Sequence, residues 1–143
     1  MTDAETILKM IETASAGNRE IDGAVARFLG WHRITPSQAK AQGLRLRDGG
    51  WVAPGHHVGG RLSWEGEYSR HCPEFSRSRD ALKAIRPKGW FFAIRHEGLF
   101  CASPKWDCKG SSKEKHLYGP FFPTEELAEL HAIIQAIEYE RTK

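Results

Sequence analysis

The longest apolar cluster in the chain, Trp90 to Ile94, is only five residues long. A membrane-spanning helix needs roughly 20 such residues, so the cluster has the size of a strand buried in a soluble fold. Bounded by Gly89 and by Glu97-Gly98, the segment Trp90-Phe91-Phe92-Ala93-Ile94-Arg95 reads as the clearest strand of the sequence. Glu97-Gly98 turns it into Leu99-Phe100-Cys101-Ala102. Apolar residues on both faces of that hairpin predict a sheet covered on both sides. A length of 143 residues supplies one core of this kind and not two.

Helices are signalled on either side of that strand. Asp3 is placed to cap a first helix with Ile7, Met10, Ile11 and Ala14 on one face, stopped by Gly17. A second follows with Ile21, Val25 and Phe28, closed by Gly30, before a first strand at Trp31-His32-Arg33-Ile34. Thr35-Pro36 starts a short helix over Ser37 to Gln42. Asp48-Gly49-Gly50 then joins Leu44-Arg45-Leu46-Arg47 to Trp51-Val52 as a hairpin. Ser76 or Ser78 caps a helix with Ala81, Leu82 and Ile85 inward. Thr124 caps the last one, with Leu127, Leu130, Ile134 and Ile137 as its buried stripe. Leu117 to Phe121, which contains Pro120, fits an edge strand.

Two stretches show no period. Residues 56–72 are rich in glycine and polar groups, and residues 103–116 are rich in lysine; both are expected to be loops. The order of elements predicts an α/β fold of the α+β type, a three-layer α-β-α sandwich around a mostly antiparallel sheet of about four or five strands. Burial is expected to be deepest at Trp31, Leu82, Phe92, Ile94, Leu130 and Ile134.

Several phrases resemble one family. Ile21-Asp22-Gly23-Ala24-Val25-Ala26 runs into Leu29-Gly30-Trp31, and Trp51-Val52-Ala53-Pro54-Gly55 follows. Then come Pro73-Glu74-Phe75-Ser76 with Asp80-Ala81-Leu82, Pro87-Lys88-Gly89-Trp90, and a C-terminal helix rich in Leu and Ala. In order and spacing these resemble the phage ABA sandwich domain over roughly residues 20–138, a family of small phage and prophage proteins with no assigned activity. The resemblance implies one domain over 1–143, with residues 1–18 as a helical extension and 19–143 as the sandwich core.

Charge is unevenly spread. Residues 31–115 hold 16 Lys/Arg against 8 Asp/Glu, whereas residues 1–30 hold 3 against 5 and residues 116–143 hold 2 against 5. A basic middle of this kind suits an anionic ligand. Trp64 and Trp106 both lie among charged residues in the two aperiodic stretches, where an exposed indole can stack on a base. Together with Arg61, Arg70, His56, His57, Lys105 and Lys109 they make the candidate ligand-binding set, expected to form one cationic surface for a nucleotide or nucleic acid. The alternative is a protein-docking module that uses the acidic C-terminal helix.

Catalytic signatures are missing. His56, His57, His71, Cys72, Cys101 and Cys108 have zinc-ligand chemistry but no Cys-x-x-Cys or His-x-x-x-His spacing, so no metal is expected. Cys72 beside His71 is adjacency without an evident oxyanion site. Val58-Gly59-Gly60 lacks the strand–turn–helix setting of a phosphate loop. The expectation is a non-enzymatic protein without cofactor. Three sparse cysteines, an opening without a basic segment leading into an apolar run, and no span-length apolar stretch fit a cytoplasmic location with no membrane partner.

Overall fold

The structure is a computed structural model that describes residues 2–41, 43, 50–53, 57–58, 61–62, 68–69, 71–97 and 105–143, with backbone alone at 57–58, 61–62 and 68–69. In chain order the elements are α1 (Asp3–Thr13), α2 (Arg19–Phe28), β1 (His32–Ile34), α3 (Pro36–Ala41), β2 (Gly50–Val52), β3 (His57–Val58), β4 (Arg61–Leu62) and β5 (Tyr68–Ser69). There follow α4 (Arg79–Ile85), β6 (Phe91–Glu97), β7 (Lys105–Ser111), β8 (His116–Leu117) and α5 (Glu125–Thr142). Every strand pairing among the described residues is antiparallel, and helix and strand are mixed, as in the α+β class expected. The described strands divide among three sheets, β1–β2–β5, β3–β4 and β6–β7–β8, rather than joining in one.

The chain falls into two compact units, residues 1–22 with 74–143, and residues 23–73. In the first unit α5 is the centre. The β6–β7–β8 sheet packs on it, and so do α1 and α4. Because it has neighbours on several sides, α5 is buried at every position from Leu127 to Ile134, beyond the single stripe its periodicity shows. The burial takes in two groups that periodicity would send to solvent, Glu129 and His131. Glu129 is met by Arg86, and His131 Nε2 lies 3.0 Å from Glu12 Oε1 on α1. A buried charge has to be paired in this way or its desolvation is uncompensated. Thus α1, an extension by sequence, is part of the packing around α5.

The two segments of the first unit are clamped together where they meet. Asp22, 2% exposed, accepts from the Ser76 amide (2.7 Å) and from the Ser76 hydroxyl (2.6 Å) through one oxygen, and from Arg77 through the other (3.3 Å). Gly17 lies against the same turn, with Phe75 buried beside it in sequence. In the second unit Trp51 and Val52 are buried, and β2 is paired on both sides, Trp51 opposite Arg33 and Ser69. Arg27 and Arg33 lie 5.4 and 5.7 Å from the Trp51 ring, a cation–π arrangement.

Several expectations change. Thr2, not Asp3, caps α1, in a reciprocal capping box with Glu5. The stretch 56–72 contains β3, β4 and β5, and the stretch 103–116 contains all of β7. The strand expected at 99–102 and the hairpin arm at 44–47 lie outside the described residues. Leu82, Leu130 and Ile134 are fully buried, but Trp31, Phe92 and Ile94 are half-buried. For Phe92 and Ile94 the reason is topological: among the described strands β6 is an edge, bonded to β7 alone.

Candidate functional site

Alternation along β6 and β7 sorts their side chains between two faces. Trp90, just before β6, is buried on α5, where its indole N–H donates to Glu140 (2.9 Å) and its ring meets Tyr139 edge-on at 5.7 Å. Phe92, Ile94 and His96 share this inner side with their partners Gly110, Cys108 and Trp106. Phe91, Ala93, Arg95 and Glu97 therefore face outward, opposite Ser111, Lys109, Asp107 and Lys105. All four β6 residues of that outer set are exposed. No described helix covers this face, in contrast to the two-sided cover that the apolar pattern predicts.

The segment after β8 completes the outer face. Leu117 pairs with Gly110, and Trp106 pairs with Phe122 through two backbone bonds of 2.9 and 2.7 Å. Four steps on β7 thus match five on the other strand, the one-residue excess of a β-bulge. Gly119 sits where an added Cβ would be 3.1 Å from the His131 ring, and Gln135 donates to the Tyr118 carbonyl (3.4 Å). With Leu117 and Gly119 turned toward α5, Tyr118 turns outward, and Lys109 Nζ rests 5.2 Å from its ring.

The outer face is accordingly aromatic and cationic. Phe91 is 79% exposed, Tyr118 67% and Phe121 42%, the large apolar side chains most open to solvent among those described. Arg95 binds Asp107 through two bonds of 3.2 and 2.7 Å, which consumes most of its charge locally. Lys105 and Lys109 have no carboxylate at ion-pair distance among the described residues. Ser111 Oγ and His116 Nδ1, 3.1 Å apart, lie in the same row as Phe91. Lys113 and Lys115 are exposed in the adjoining turn.

No family model, curated protein or solved structure matches the chain. The site therefore rests on its own geometry. Of the eight side chains expected to line it, Lys105 and Lys109 are on the outer face, while Trp106 is not. Its ring is on the inner side, tilted against His96 at a centroid distance of 4.4 Å. Trp64, Arg70 and His56 lie outside the described residues, and Arg61 and His57 are described as backbone only. All five belong to the second unit. Of the aromatics that do face solvent, Tyr118 was open to detection, two positions from His116, whereas Phe91, with Gly89 and Ala93 two positions to either side, carries no such local signal.

Burial, and next the Glu129 carboxylate, push the Cys108 thiol up to about 12, so it stays protonated and unreactive at neutral pH. Among the described residues no three His, Cys, Asp or Glu side chains gather to hold a metal ion, and no helix is long and apolar enough to cross a membrane. The body of α5, expected as a docking contact in the alternative reading, is buried from Leu127 to Ile134.

Proposed function

We propose that this protein binds nucleic acid on the outer face of the β6–β7–β8 sheet. The observation that carries the reading is the pairing of solvent-open aromatic rings, Phe91 and Tyr118, with two ammonium groups, Lys105 and Lys109, that no described carboxylate neutralises. An apolar patch alone would suit a protein partner, and a lysine patch alone would suit any anion. Rings and cations together fit a ligand that has both flat aromatic groups and phosphates. The resemblance to the phage ABA sandwich domain supplies a setting for this reading, an accessory protein of a phage or prophage, and no activity.

Titration of the protein with a fluorescein-labelled oligonucleotide at about 50 mM and about 200 mM salt tests it. Micromolar or tighter binding is expected at the lower salt, weakening at the higher. The double variant Lys105→Ala/Lys109→Ala should bind several-fold more weakly with an unchanged melting temperature. Absence of binding up to millimolar protein at the lower salt refutes the proposal and turns attention to a protein partner.

A further inference from the structure

We infer that the strand held on this face is unpaired, RNA or DNA, with one base stacked on Phe91 and a second on Tyr118. The inference rests on the nucleic-acid reading above and specifies its substrate. In a duplex the faces of the bases are covered by their neighbours, and only their edges open into the grooves. A ring exposed on a sheet can use its flat surface only on a base already out of the stack. Phe91 and Tyr118 have that exposure, 79% and 67%; Lys109 Nζ lies over one face of the Tyr118 ring, and the base would stack on the other.

Register sets the span between the two rings. Phe91 pairs with Ser111 and Ser111 with His116, so Phe91 is two strands away from β8. Tyr118 lies one pair of residues further along, beside Lys109. With strands about 4.8 Å apart and alternate residues about 7 Å apart along a strand, the two positions are about 12 Å apart on the diagonal. Stacked bases repeat at about 3.4 Å, so neighbouring bases in a stack cannot reach both rings. An opened strand reaches them with bases about two nucleotides apart, and its intervening phosphates then pass over the row of Ala93 and Lys109. Ala93 is small enough to let the backbone approach, and Lys109 supplies the charge. At the Phe91 end, the Ser111–His116 pair offers a donor and an acceptor to the sugar or the base edge.

Three labelled probes separate the outcomes: an oligouridylate and an oligothymidylate about eight nucleotides long, and a mixed-sequence DNA duplex of similar length. Both single strands should bind, and the duplex should bind at least tenfold more weakly. Phe91→Ala and Tyr118→Ala should each weaken single-strand binding about ten- to a hundredfold, the range found for lost base stacking. Tyr118→Phe, which keeps the ring, should bind like the parent protein. Both positions are solvent-open, so melting temperatures should not move. Tighter binding of the uridylate would identify RNA as the natural source, and of the thymidylate, DNA. Equal binding of duplex and single strand, with both alanine variants silent and the lysine variants weakened, overturns this inference and leaves nucleic-acid binding standing. Failure of all three probes removes both.

Discussion

A methyl group on Gly17 would sit 2.4 Å from the Ser76 carbonyl oxygen and 2.8 Å from its carbon, and backbone atoms cannot swing aside as a flexible side chain does. Gly17→Ala should therefore destabilise the protein by about 1–3 kcal/mol, as forced overpacking does. That outweighs the roughly 0.4–1 kcal/mol gained by restricting the unfolded chain. Urea denaturation of the variant against the parent measures it, and an equal or higher midpoint would show that the 17–22 and 74–77 crossing is not tightly packed. From the sequence Gly17 reads only as a helix stop, because the close approach involves residues nearly sixty positions away. Long-range contacts of this kind leave no local trace. Phe91 and Trp106 show the same limit from the other side. Phe91 lies between Trp90 and Phe92, and Trp106 between Lys105 and Asp107, yet it is Phe91 that faces solvent, because of the face each takes in its strand.

At the scale of elements, capping and helical period carried well: Thr124 and Ser78 cap α5 and α4 through the amides of Leu127 and Ala81. β7 was the element most disguised. Lys105, Asp107, Lys109 and Ser111 alternate strictly with Trp106, Cys108 and Gly110, a period of two. Lysine, aspartate and glycine are poor strand formers, however, and their composition points to a loop. Packing on α5 overrides that preference. The contact between α1 and α5 has a pH dependence that can be derived in the same way. Burial lowers the His131 pKa, and the facing Glu12 carboxylate partly restores it. The unfolded chain takes up the proton near pH 6.5 and the folded one only below that. Neutral His131 thus contributes its full share of stability above about pH 6.5, and the share is lost as pH falls below it. Between about pH 7 and pH 5, the unfolding free energy should fall more steeply in the parent than in His131→Gln. Glu12→Gln removes the group that favours protonation and should make the fall steeper still. Identical slopes in all three proteins would show that this contact does not titrate with folding.

For the whole molecule, the informative quantity is where its positive charge is used. The basic middle of the chain spans both compact units, so its surplus cannot be assigned to one surface from composition. On the outer face of the β6–β7–β8 sheet, Arg95 is largely occupied by Asp107, which leaves Lys105 and Lys109 as the chief phosphate partners. Each phosphate neutralised on a single strand releases condensed counterions and contributes about −0.7 to the slope of log K against log salt. Two contacts predict a slope of about −1.4, and three, if Arg95 is drawn away from Asp107, about −2.1. Anisotropy titrations across a salt series give the slope directly. Lys109→Ala should flatten it by about one contact's worth, whereas Phe91→Ala should lower affinity and leave the slope alone, since stacking releases no counterions. A measured slope of about −4 or steeper would mean that cations beyond this face engage the strand. Lys113 and Lys115, exposed in the turn that adjoins this face, would then be the first to replace.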